Sequence, residues 1–202
     1  MLDQYKANTY YLVRHGEAEN NVRDILNGAG RGEYHLTVKG QGQARETALY
    51  LKQFPIDFII ASPLARAKET AAILQESLEV PRSIDTRLTE TRFGSFEGKD
   101  IQSFLDFMEQ HGGRTVGDPD QGIEGYMDIR ERVRSLLLDV QSVFQGKHIV
   151  IVSHLDTLQE LYAELLGEPV GAEQGDSGWY PQKGSCAVIS AVEVTQFFAP
   201  TV

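Results

Sequence analysis

The stretch His148, Ile149, Val150, Ile151, Val152 limits the fold more than any other part of this chain. A half-exposed strand places a polar residue at every second position. This run has none after His148, so it fits a strand covered on both faces, as in a parallel sheet flanked by helices. Residues 9–13 (Thr9, Tyr10, Tyr11, Leu12, Val13) and 58–61 are shorter runs of the same character. Between the runs the spacing turns helical. Thr37 is placed to cap a helix over 37–53 with Ala44, Ala48 and Leu51 on one face. Helices are predicted over 64–77, 101–110, 129–144 and 157–166, with a short strand at 83–87 and a final strand at 187–194. Strands alternating with helices predict an α/β three-layer sandwich, with a mostly parallel central sheet and helices on both faces. No repeat, low-complexity tract or linker interrupts the sequence, so residues 1–202 read as one domain. Residues 20–35, 88–99 and 111–122 are polar and glycine-rich and read as loops. The last is long enough to serve as a lid, a binding loop or a partner surface.

Composition removes several classes of function. Lys and Arg total 19 against 29 Asp and Glu, a net charge of −10. Such a chain is a poor partner for nucleic acid or an anionic membrane, and any phosphate it binds needs a local basic pocket. Cys186 is the only cysteine, so an intrachain disulfide and a cysteine metal cluster are excluded. No apolar run nears the roughly 18 residues of a membrane helix, and no apolar leader follows Met1, so the cytoplasm is the expected location.

In open α/β sheets ligands bind at the carboxyl ends of the strands. After 9–13 come Arg14, His15, Glu17 and Asn21. After 58–61 come Ser62 and Arg66. After 83–87 come Glu90 and Arg92, and after 148–152 come Ser153, His154 and Asp156. Singly, each has an ordinary explanation: a satisfied histidine at a strand end, a solvated arginine, a surface carboxylate. Their arrival together at one edge does not. Arg66 also falls in the first turn of its helix, where the backbone already favours an anion. For a phosphate ester, two guanidiniums would grip the oxygens and a neutral imidazole would attack phosphorus. A second imidazole, once protonated, would add charge, and a carboxylic acid would protonate the leaving group.

These residues resemble the histidine phosphatase superfamily, the phosphoglycerate mutase-like proteins. Tyr11-Leu12-Val13-Arg14-His15-Gly16-Glu17 with Asn21 is similar to that family's first motif. His35-Leu36-Thr37-Val38-Lys39-Gly40 with Gln43-Ala44 resembles the second, and Ser62-Pro63-Leu64-Ala65-Arg66-Ala67 with Thr70-Ala71 the third. Leu88-Thr89-Glu90 with Gly94-Ser95-Phe96-Glu97-Gly98 resembles the fourth, and Val150-Ile151-Val152-Ser153-His154 the fifth. The resemblance implies that His15 is the phosphorylated nucleophile and Glu90 the proton donor. It implies that Arg14, Asn21, Arg66 and His154 bind phosphate, and that the step uses neither metal nor cofactor.

Two departures bear on substrate. Leu155-Asp156-Thr157-Leu158-Gln159 stands where the family often has Gly and then Arg, although the Leu155 amide remains a donor for phosphate. Glu90-Thr91-Arg92-Phe93 replaces the mutase-like run at the acid, and the chain is shorter than typical mutases. The run at the acid and the chain length favour a phosphatase acting on a small phosphorylated metabolite. A mutase, a protein or phosphohistidine phosphatase, and a non-catalytic binding module stand beside it. The sequence has no Gly-x-Ser-x-Gly elbow and no P-loop. A metal at His15 and Glu17 would face repelling arginines. At least one of Arg23, Arg31 and Arg92 is expected to face the pocket and read a second anionic group. Trp179 and Tyr180 read first as a packed aromatic pair and second as pocket wall. His35, His111 and His148 read as structural or surface residues.

Overall fold

A computed structural model describes residues 7–28, 33–171, 179–190 and 193–202. Its centre is a six-stranded sheet built from β1 (Thr9–Arg14), β2 (Phe58–Ala61), β3 (Arg82–Ile84), β4 (His148–Ser153), β5 (Cys186–Ser190) and β6 (Glu193–Phe198), in the order β3-β2-β4-β1-β5-β6. The pairs β2–β3, β2–β4 and β1–β4 are parallel, and β5 runs antiparallel to β1 and to β6. The helices are α1 (Glu19–Val22), α2 (Val38–Leu51), α3 (Ala65–Leu78), α4 (Ile101–Gln110), α5 (Tyr126–Val143) and α6 (Leu155–Leu166).

The period-2 alternation of β1 and β4 separates two cores. Tyr11, Val13, Val150 and Val152 pack against Ala48 and Leu51 of α2 and Ala67, Ala71 and Leu74 of α3. Tyr10, Leu12, Ile149 and Ile151 pack against Ile129, Val133 and Leu137 of α5 and Leu158 and Leu161 of α6. All four of these β4 residues are 0% exposed, as an unbroken apolar strand requires. A third cluster of Leu26, Phe93, Phe104, Met108 and Ile123 forms a roof of loops and α4 beyond the sheet.

Several boundaries differ from the sequence reading. The expected single strand over 187–194 is an antiparallel pair, β5 and β6. Helices α5 and α6 begin at Tyr126 and Leu155, ahead of the starts at 129 and 157 that apolar spacing indicated. The Asp128 carboxylate accepts from Gly125 N and so closes the first turn of α5 with polar groups that hydrophobic periodicity does not register. The 20–35 stretch holds the one-turn helix α1, and residues 29–32 lie outside the described ones. Segment 111–122 has no helix or strand, but it folds back on itself through paired Asp118 and Ile123 backbone bonds.

Candidate active site

Parallel pairing of β1 with β4 sets Arg14 beside Ser153, so His15 and His154 emerge next to each other at the carboxyl edge. Their rings stand 5.0 Å apart, and both are buried. The turn after β1 is braced by α2. Thr37 caps that helix, accepting from Gly40 N, while its hydroxyl donates to Glu17 Oε1 at 2.9 Å. Gln43 accepts from Glu17 N at 2.8 Å. Gly16 and Gly40 touch backbone to backbone, leaving no room for a Cβ on either.

His15 is held at both ring nitrogens. Its Nδ1 lies 2.7 Å from the Gly16 carbonyl, which can only accept, and its Nε2 lies 3.1 Å from Arg66 Nε, which can only donate. These partners assign the proton to Nδ1 and leave a lone pair on Nε2. Burial, then Arg66 and Arg14, hold the His15 pKa well below its ordinary value, so the ring is neutral. Arg66 is itself clamped, with its two terminal nitrogens on Asn27 Oδ1 (2.7 Å) and Asn27 O (2.8 Å). Burial lowers its pKa to about 10, which leaves it a cation at neutral pH. Thr70 joins the two segments, accepting from Gly16 N and donating to Arg66 O. Glu97 accepts from Gly28 N and Phe93 N and so fixes the Asn27 segment.

His154 is 0% exposed. Its Nε2 lies 2.7 Å from Ser62 Oγ, and its Nδ1 is buried without a partner among the described residues. Burial, then Arg66, keeps its pKa well below the ordinary value. The second imidazole is therefore neutral in the free site, and the cause is complete desolvation next to a guanidinium. Arg14 donates to Pro181 O at 2.8 Å, while its Nε is likewise buried and unpartnered. Asn21 Oδ1 accepts from Ala18 N at 3.1 Å.

Glu90 accepts from Thr91 N (3.1 Å) and from Leu155 N (2.9 Å). The Leu155 amide expected to serve phosphate therefore serves Glu90. Burial and then the neighbouring Asp156 push the Glu90 pKa up to about 7. Arg14, His15, Asn21, Arg66 and Glu90 line one cavity of about 130 Å³, with Asn27, Arg114, Asp156 and the apolar residues Ile25, Leu26, Phe93, Ile101, Phe104 and Leu105. His154 is not among the residues that line it. A cleft of about 650 Å³ adjoins the cavity and shares Arg14, Asn21 and Arg114 with it.

A sequence model of the histidine phosphatase superfamily (branch 1) matches residues 10–180. The chain belongs to the histidine phosphatase superfamily. Among its relatives within that superfamily is the Escherichia fergusonii protein named probable phosphoglycerate mutase GpmB, 32% identical over 168 residues, 81% of this chain and 77% of that one. Another is the Bacillus subtilis protein named uncharacterized phosphatase PhoE, 32% identical over 159 residues, 77% of this chain and 76% of that one. The solved structure of Bacillus stearothermophilus YhfR superposes with a TM-score of 0.78 at 26% identity, covering 94% of this chain and 95% of that chain.

Of the three arginines expected to supply a second-anion contact, two lie among the described residues. Among the described residues neither Arg23 nor Arg92 lines the cavity or the cleft, and Arg31 lies outside them. Arg92 is drawn outward to Glu124, and its side chain is 59% exposed. The arginine at the cavity is Arg114, carried by the 111–122 loop and paired with Asp156. Loop length alone pointed toward it. Asn27 was missed because an asparagine in a polar loop carries no pattern. Trp179 is packed on Tyr162 in the core, and Tyr180 lines the outer cleft, so the pair divides between the two roles expected for it.

Proposed function

We propose that this chain is a metal-independent phosphomonoesterase that hydrolyses a small phosphorylated metabolite through a phosphohistidine on His15. The observation that carries this reading is the His15 tautomer: a buried neutral imidazole lining the cavity with Arg14 and Arg66, its proton on Nδ1 and its Nε2 lone pair accepting from Arg66 Nε. Arg14 Nε, buried and without a partner, supplies a donor for phosphoryl oxygens, as do Arg66 and the Asn21 amide, and His154 joins them in the tautomer that accepts from Ser62 at Nε2 and carries its proton on the open Nδ1. In the first step His15 Nε2 forms the N–P bond. The ester P–O bond breaks, and the leaving oxygen takes the electron pair and the Glu90 proton. In the second, the Glu90 carboxylate takes a proton from water. The water oxygen bonds to phosphorus, and the N–P electron pair returns to Nε2. A Glu90 pushed up to about 7 serves both half-reactions near neutral pH.

The cavity favours hydrolysis over return of phosphate to a second phosphorylated substrate. Beside the groups named above its lining is largely apolar, and its one further arginine, Arg114, is already bonded to Asp156. The mutase reading draws on the name of the Escherichia fergusonii relative. The test is hydrolysis of an aryl phosphate near pH 6 with a chelator present. Turnover by the wild type and its loss in His15→Ala is the expected result. Equal turnover by both would mean a different nucleophile.

A further inference from the structure

Two acidic side chains share one wall of the cavity, and their contacts cross. The Leu155 amide, next to Asp156 in the chain, donates to Glu90 Oε2 at 2.9 Å. The Thr91 hydroxyl, next to Glu90, donates to Asp156 Oδ2 at 2.6 Å. Each carboxyl group is thus held by the other's neighbour, which ties the 88–92 segment to the start of α6. Arg114 closes the third side with both terminal nitrogens on Asp156. Its guanidinium is fixed over the rings of Tyr126 (4.6 Å to the centroid) and Phe104 (5.3 Å).

We propose that Asp156, gripped by Thr91 and Arg114, is a positioning residue that holds Glu90 protonated and in place as the acid, and that Arg114 sets how strongly it does so. The inference rests on the reading of Glu90 as proton donor given above. Asp156 remains ionised because it accepts from a guanidinium and a hydroxyl, which hold it below the ordinary carboxylate range. One full negative charge beside Glu90 then opposes a second. The other groups facing Glu90 are Arg14 from β1 and Arg66 from α3, with Arg114 from the loop before α5 and Tyr126 from α5. Arg14 and Arg66 draw Glu90 toward ionisation, while burial and Asp156 oppose them and prevail. A bound phosphoryl group would engage both arginines and weaken their pull, so the proton is retained when it is needed.

The test is kcat/KM against pH, from 5 to 9, on an alkyl and an aryl phosphate. Wild type, Asp156→Asn, Arg114→Gln and Glu90→Gln are compared, each checked for folding by circular dichroism. Asp156→Asn removes the opposing charge and leaves Arg114 unneutralised. Its high-pH limb is expected to fall by about one pH unit, with about a tenfold loss on the alkyl phosphate at pH 7.5. The loss on the aryl phosphate is expected to be smaller, because a phenolate departs without a proton. Arg114→Gln leaves Asp156 without its cation and is expected to move the limb upward. These opposite shifts separate charge tuning from a merely structural role, and Arg114→Gln, in a loop, carries the test should Asp156→Asn not fold. Limbs that stay fixed or move together, while Glu90→Gln still loses far more on the alkyl ester, would overturn this inference alone. A Glu90→Gln enzyme with equal losses on both esters would overturn the reading of Glu90 and this inference with it.

Discussion

Arg66→Lys keeps the charge at the centre of the site and removes its geometry. The native guanidinium makes three short contacts, to His15 Nε2 (3.1 Å), Asn27 Oδ1 (2.7 Å) and Asn27 O (2.8 Å), from a side chain buried to 2% exposure. An ammonium group on a flexible stem cannot hold all three at those angles. Two buried acceptors on Asn27 then lose partners at about 1–3 kcal/mol each, so a destabilisation of about 3 kcal/mol is expected. For a chain of this size that lowers Tm by about 6–12 °C. The catalytic cost is larger. The Nε contact sets the His15 lone pair, and the fork supplies donors where charge develops, so kcat/KM on an aryl phosphate should fall about 10²–10³-fold. Steady-state kinetics well below the variant's Tm, beside a thermal melt, separate the two effects. An Arg66→Lys enzyme with wild-type Tm and kcat/KM within about threefold would refute the claim that guanidinium geometry, rather than charge, organises the site.

Other expectations follow from the same contacts. Asn27→Ala deprives Arg66 of one charge-assisted bond worth about 1.5–3 kcal/mol, so kcat/KM should fall about 10–150-fold; an unchanged value would detach Asn27 from the site. Gly40→Ala would place a Cβ 1.9 Å from the Glu17 carbonyl and should cost about 2 kcal/mol or more. Gly42→Ala in the same helix meets only a Val202 methyl and should be neutral or stabilising by up to about 1 kcal/mol; urea unfolding that ranks the two the other way would refute the packing argument. His15 and His154 stay neutral in the fold but charge near pH 6.5 when unfolded. The unfolded chain therefore binds more protons as pH falls below that value, and each histidine makes stability fall with pH there. Glu90 acts oppositely between about 4.5 and 7, because there the folded state holds the extra proton. His154→Gln should flatten the loss of stability as pH falls below 6.5, and an unaltered slope in urea titrations would show that His154 is charged in the fold.

What was legible in the sequence followed from short-range patterns. Val150 and Ile151 announced a doubly covered strand, Thr37 announced a helix start, and Arg14, His15, Arg66, Glu90 and His154 were found from their places after strands. What escaped depends on contacts distant in sequence. Asn27 matters only because α3 carries Arg66 beneath it. Arg114 reaches the cavity because its loop folds back through Asp118 and Ile123 and its guanidinium settles on two aromatic rings. Arg92, nearer in sequence to Glu90, is drawn away by Glu124. The Leu155 amide was legible as a donor but not in its choice of acceptor, because Glu90 arrives from 65 residues away. The neutrality of His154 is a burial effect, and no local pattern encodes it.

The central claim is that phosphorus passes through His15 Nε2. Rapid-quench trapping with a radiolabelled phosphomonoester, followed by alkaline digestion mapping, tests it most directly. The expected result is an acid-labile, alkali-stable phosphate on the His15 peptide, formed and lost at rates that match turnover and absent from His15→Ala. Label on another residue, or full turnover with no label on His15 at any time, would contradict it.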